Sequence, residues 1–232
     1  MFSSILTGAV YGMESHLVRA EVDLSSGLPC FIMVGSLGRE VKESGERVRI
    51  ALKNTGISLP PMHISVNLSP ADLKKEGTGF DLPIAVGVLC ALGKLPEGCT
   101  DNMLILGELG LNGEVKRIKG VLPAALSAVR AGITRCLVPE ENAGEAAVAE
   151  GMEAVGISSL RQVIDYLRLS REERNRYLLP KKVDIDRLLK EGSTHREEKG
   201  PDFAEIAGQE NVKRAALIAA AGFHHLLIMG PP

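Results

Sequence analysis

Apolar and polar residues alternate from Met62 to Ser69, with Met62, Ile64, Val66 and Leu68 on one side and His63, Ser65, Asn67 and Ser69 on the other. A period of two over eight positions predicts a β-strand with one buried face. The same alternation sets Val18, Ala20, Val22 and Leu24 between Arg19, Glu21 and Asp23, and a partner strand is expected over Cys30–Val34. Between these lies an expected helix over residues 39–54, with Val41, Val48, Ala51 and Leu52 on one side and Gly56 as its stop. Arg39, Glu43 and Arg47 follow one another at i,i+4 spacing on its outer face, which reads as a solvated ion-pair face.

Residues 81–92 form an apolar helical run, with Asp81 placed to cap its start and Pro83 in its first turn. A short strand over 103–106 leads to a hairpin over 109–115, where Asn112-Gly113 supplies the positive φ angles of a tight turn. Helix 121–130, strand 135–138, helix 140–150, strand 154–156 and helix 159–167 complete an α/β (α+β) alternation, with no internal repeat. From 170 to 200 the apolar periodicity fades and 16 of 31 positions are charged, the signature of a solvated linker with at most a short helix near 184–191. A new unit begins after Pro201, with a helix over 213–221 and an apolar strand over 226–229.

Composition adjusts this picture modestly. The 232 residues suffice for one sizeable core and part of a second, and 45% hydrophobic with 24% charged residues is ordinary for a globular protein. No apolar run approaches the roughly 20 residues a membrane helix needs, and the N-terminus lacks the layout of a secretory signal. Cys30, Cys90, Cys99 and Cys136 stand singly, without a C-x-x-C pair, so a reducing cytoplasm is expected. Residues 1–169 carry 16 basic and 19 acidic side chains, so the main body is not a basic nucleic-acid binder by charge. Five Phe, three Tyr and no Trp leave little for a base-stacking platform.

Three segments are candidates for chemistry. The turn from Lys74 and Lys75 through Gly77, Thr78 and Gly79 to Asp81 opens onto a helix, where it either holds an anion or is a plain turn. Lys116, Arg117 and Lys119 follow the hairpin closely, as protection of a strand edge or as a contact to nucleic acid or another subunit. Gly230, Pro231 and Pro232 end an apolar run in the way a phosphate-binding P-loop begins. No lysine or Ser/Thr follows them, so the fragment is not expected to bind nucleotide by that loop. His16, His63 and His195 are isolated and His224-His225 would point to opposite strand faces, so no metal site is expected.

Several motifs together resemble one family. They are Gly8-Ala9-Val10-Tyr11-Gly12, Glu46-Arg47-Val48-Arg49 through Asn54-Thr55-Gly56, Ser69-Pro70-Ala71-Asp72-Leu73-Lys74-Lys75 leading into Phe80-Asp81-Leu82-Pro83, Gly107-Glu108-Leu109 before Gly113-Glu114-Val115, and the run from Phe203 to Pro232. In these the chain resembles the Mg-chelatase-like AAA+ ATPases of the YifB/ComM type over essentially its whole length. The resemblance implies a Lon-protease-like domain at 1–169, a linker at 170–200 and the truncated start of an AAA+ module at 201–232. It further implies ATP and Mg²⁺ as cofactors of the full-length protein, with none for this fragment, and a hexameric, DNA-processing branch-migration helicase of natural transformation as the parent. DNA would be the partner, through Lys74, Lys75, Lys116, Arg117 and Lys119. The alternatives are an oligomerisation domain without DNA contact, or a metal-chelatase-type motor subunit. Lon-type peptidases use a serine activated by a lysine. Aligning on Gly77 and on Gly113 places Gly79 and Leu122 at those two positions, so no peptidase activity is expected, and Ser69 with Lys74 or Lys75 is a poor replacement dyad.

Overall fold

A computed structural model describes residues 1–12, 14–183 and 202–230. The chain divides into two compact units, Met1–Val183 and Asp184–Pro232. In the first unit, β1 (Phe2–Tyr11) and β2 (Glu14–Ser25) pair as an antiparallel hairpin. They are followed by β3 (Cys30–Val34), α1 (Arg39–Lys42), α2 (Ser44–Asn54), β4 (His63–Ser69) and α3 (Asp81–Ala91). Then come β5 (Met103–Ile105), β6 (Glu108–Leu109), β7 (Val115–Lys116), α4 (Val121–Arg130), β8 (Arg135–Pro139), α5 (Glu140–Ala146), β9 (Glu153–Ile157), α6 (Leu160–Arg168) and α7 (Arg171–Tyr177).

Seven strands form one sheet in the order β3-β4-β2-β1-β5-β8-β9. Only β2 runs against the others: β4 and β1 flank it antiparallel, and β3–β4, β1–β5, β5–β8 and β8–β9 pair in parallel. Side-chain alternation splits the core between the two faces. On one face Val22, Val66, Ile105, Leu137 and Val155 meet α2, α3 and α6. On the other Leu104, Cys136, Val138 and Ala154 meet the alanine-rich sides of α4 and α5. The α3 helix lies so close to β2 that a Cβ added at Gly87 would sit 2.7 Å from a Val22 methyl.

The first compact unit extends to Val183. Three expectations need correction. Ser170 caps α7 in a capping box with Glu173, and Arg174 is buried, so a charged stretch that reads as solvated is held by hydrogen bonds its charges make. The helix expected over 39–54 is broken at Glu43 into α1 and α2. In the hairpin, Gly113 has φ +84 while Asn112 stays out of the left-handed region and accepts from the Glu114 N–H at 3.1 Å.

In the second unit a 3₁₀ turn at Phe203–Glu205, with the Asp202 carboxylate accepting from the Ala204 N–H, precedes α8 (Glu210–Ala221). The strand expected over 226–229 is absent. These residues meet no partner strand among the described ones, and apolar composition alone does not make a ladder. The short helix expected at 184–191, together with His195, Pro231 and Pro232, lies outside the described residues.

Candidate functional site

Strand order reverses between β1, whose chain continues to β2, and β5, whose chain continues toward β8. Crevices at the carboxyl ends of such strands are where open α/β sheets bind ligands. A cleft of about 740 Å³ opens here, lined by the ends of β1 and β5, the turn 76–80, Glu108, residues 117–120 and Glu145. The turn is pinned to the sheet: the Gly107 N–H donates to the Gly79 carbonyl and the Leu82 N–H to the Gly107 carbonyl, both at 3.0 Å.

Gly79 forms part of the cleft wall, and a Cβ placed there would meet Ile118 Cδ1 at 3.1 Å. Ile118 is fixed by Asn142, a fully buried amide that accepts from the Ile118 N–H at 3.0 Å and donates to the Ile118 carbonyl at 2.9 Å. Glu145 braces the same corner, accepting from Asn142 Nδ2 at 2.9 Å and from the Leu122 N–H at 3.0 Å. Leu122 packs its side chain on the core beneath α4 and does not line the cleft, whereas its neighbours Gly120 and Ala124 do. The Thr78 hydroxyl donates to the Glu108 carboxylate inside the cleft.

Behind the turn, Asp81 is fully buried and does not cap its helix. Its Oδ2 accepts from Arg47 Nε at 2.8 Å and from the Leu109 N–H at 3.2 Å, and its Oδ1 from Arg47 Nη2 at 3.0 Å. Burial pushes the Asp81 carboxyl up, opposed by Arg47, and the bonds to Asp81 raise the Arg47 guanidinium in turn. The solvated face expected for Arg47 is therefore a strut joining α2, α3 and β6. Arg47 and Asp81 stand 34 residues apart, and only the fold brings them together.

The cationic candidates separate. Lys116, Arg117 and Lys119 are all exposed, and Arg117 and Lys119 line the cleft together with Glu76, Glu108 and Glu145. Lys74 is exposed and paired with Glu76. Lys75, a candidate DNA contact, is fully buried, and its Nζ donates to the Pro70 carbonyl, not to the Ser69 hydroxyl. Burial pulls its ammonium below the usual lysine range. The backbone of Lys75 is held against the loop before α1 by a bridge to Leu37, a pairing that its polar neighbours in sequence do not reveal. Gly230 is exposed on the unpaired segment after α8, and residues 224–230 carry no lysine, serine or threonine to hold phosphate or magnesium.

Residues 20–142 match the family model of subunit ChlI of Mg-chelatase, and residues 202–232 match that of magnesium chelatase, subunit ChlI. The chain belongs to the Mg-chelatase subunit ChlI family. Within it, the chain is 38% identical over 229 residues to the competence protein ComM of Haemophilus influenzae, covering 98% of this chain and 43% of that protein. It is 35% identical over 231 residues to the uncharacterised protein YifB of Escherichia coli, covering 99% of this chain and 43% of that one. Similarity to Lon protease 2 of Bacillus subtilis is 30% over 178 residues, covering 68% of this chain and 31% of the protease, in keeping with a Lon-like α/β fold. The chain thus spans less than half the length of its ChlI-family relatives. Among the described residues no helix is long and apolar enough to cross a membrane, and no group of three or more His, Cys, Asp or Glu could hold a metal ion.

Proposed function

We propose that this chain is the leading part of a cytoplasmic, Mg-chelatase-like AAA+ ATPase that processes DNA as a hexamer. Residues 1–183 are a Lon-shaped domain that does not cut peptides, and the stretch from 202 onward enters the motor that uses ATP and Mg²⁺. The packing of Ile118 over Gly79 carries this reading. At the position where the family resemblance puts a nucleophile there is no side chain, and the space it would use is held by an isoleucine clamped through Asn142. The match of residues 202–232 to subunit ChlI supports the motor, and a relative called a competence protein supports work on DNA. The four free cysteines are consistent with a reducing compartment.

DNA would be touched through Lys116, Arg117 and Lys119, with Lys74 at the margin and the buried Lys75 excluded. Reversing the charge of the first three together should cut DNA affinity and lower the log–log salt slope by about 3, since each lost phosphate contact removes roughly 0.9. The test is DNA binding by this chain from low to moderate salt. An unchanged slope and affinity would favour an oligomerisation collar without DNA contact, a reading supported by the three carboxylates that line the cleft beside two cations.

A further inference from the structure

Far from the cleft, β3 ends the sheet with its outer side unpaired among the described residues. The Cys30 N–H donates inward to the Met62 carbonyl at 3.4 Å, and the parallel register of β3 on β4 repeats that inward direction at Ile32 and Val34. The N–H and C=O groups of Phe31 and Met33 therefore point out of the sheet, and no described backbone group meets them. Side chains alternate across the two faces: Phe31 and Met33 pack on the core, whereas Cys30, Ile32 and Val34 are exposed on the other face. Natural sheets guard such edges with charges, bulges or a covering segment. Here residues 24–38 carry no charged side chain, β3 pairs with β4 in unbroken register, and no described strand or bridge occupies the outer side.

We propose that a second copy of this chain docks on this edge, β3 against β3, antiparallel about a two-fold axis beside Ile32. In that register Phe31 of each copy lies opposite the partner's Met33. These are the residues whose polar groups point outward, so each pair exchanges both of its backbone hydrogen bonds. Ile32 meets the partner's Ile32, and Cys30 meets the partner's Val34, at the non-hydrogen-bonded positions where side chains approach most closely. Sliding the strands by one alternation in either direction loses a pair. It sets Met33 opposite Pro29, which has no N–H to offer, or Phe31 opposite Gly35, whose φ of +121 leaves the extended strand.

The strand itself selects this occupant. An uncharged edge is matched by an uncharged partner, and outward groups placed evenly about Ile32 are matched by the same strand inverted, the condition of an isologous contact. Such a contact closes on itself and joins chains in pairs. Five residues a side fall well short of the roughly 20–30 of a standard interface, so the pair forms in concentrated protein.

Amide hydrogen exchange of the unaltered chain, resolved by residue and repeated at rising concentration, tests the proposal without a variant. The Phe31 and Met33 amides should slow several-fold as concentration rises, while those of Cys30, Ile32 and Val34, already bonded inward, should not change. Protection of Phe31 and Met33 that is equal at every concentration would mean that a segment of the same chain covers the edge, and fast exchange throughout would mean that nothing does. Either result overturns the second copy as occupant. The register is read by cross-linking under copper–phenanthroline, because paired non-hydrogen-bonded positions stand about 4.5 Å apart at Cα, within disulfide range. Val34→Cys should join Cys30 to position 34 of the other copy, and Ile32→Cys should join position 32 to itself, each giving several-fold more linked dimer than the parent. Adding Ile32→Lys to Val34→Cys should return the yield to the parent level. Linkage of position 32 to the partner's Cys30, or a yield that Ile32→Lys leaves unchanged, overturns the pairing.

Discussion

At the β9 edge of the sheet the Lys181 N–H donates to the Ala154 carbonyl at 2.8 Å, whereas along β3 nothing among the described residues pairs with the outer side, and Ile32 and Val34 stand 43% and 50% exposed. Both edges belong to the same sheet, but they are finished by different means. The closed one depends on the arm that follows α6. Arg174 anchors that arm by donating to the carbonyls of Leu167 and Cys99 at 2.9 Å and of Leu169 at 3.1 Å, with its guanidinium 5.3 Å from the Tyr166 ring centroid. Arg135 on β8 ties in α7 by bonding both Glu153 and Asn175. Among the described residues the open edge has no such arm, and no helix covers one face of β3 and β4. A closed edge is thus a tertiary construction whose loss should cost stability, while an open edge is a free surface whose alteration should not.

The largest effect should come from Arg174→Ala, which removes the donor from two buried carbonyls and one partly buried carbonyl and releases the arm. A loss of about 3 kcal/mol is expected from charge-assisted bonds of this kind. It would be read as a lower urea midpoint with an unchanged slope. A loss below about 1 kcal/mol would mean the arm is dispensable and the contrast between the edges is superficial.

A smaller effect tests how the arm begins. Ser170→Ala removes the hydroxyl that accepts from the Glu173 N–H and donates to the Glu173 carboxylate, and should cost about 1 kcal/mol. The Ser170 bonds hold the Glu173 carboxyl below the usual glutamate range. Because the unfolded chain then binds the proton more readily, this contribution is complete above the ordinary glutamate range and is lost as acid takes the pH down through the lowered value. Stability of the parent should therefore fall more steeply than that of Ser170→Ala across that window, as followed by thermal unfolding at successive pH values.

The same contrast explains what could be read from the residues. Strands β2 and β4 announce themselves because one side of each is polar: Glu21, Asp23, Ser65 and Asn67 alternate with Val22, Leu24, Ile64 and Val66. No alternation marks residues 2–11 as a strand, because the residues of β1 are screened on both faces of the sheet and Ser4, Thr7 and Gly8 interrupt the apolar run. In α7 the buried residue is an arginine, so polarity misleads in the opposite sense. At the cleft, Gly79 and the cationic run 116–119 are visible as local motifs, but the clamp of Asn142 on Ile118 spans 24 residues and the Arg47–Asp81 strut 34. Cys30 and His63, 33 apart, meet only through strand register. Local pattern encodes elements, while pairings of polar side chains across elements depend on the topology that assembles them.

The smallest effect is expected at Ile32→Lys, on the open edge. The side chain is 43% exposed and faces away from the core that Phe31 and Met33 contact, so stability should change by no more than about 0.5 kcal/mol. What should change is behaviour at high concentration. An unpaired edge with two exposed β-branched residues is a template for another strand, and an inserted lysine places a charge that no incoming apolar strand can bury. Light scattering of concentrated protein should therefore show less self-association in Ile32→Lys than in the parent, at equal urea midpoints. A destabilisation comparable to that of Arg174→Ala would mean that Ile32 is packed after all, and that the β3 edge is built as tightly as the one Lys181 closes.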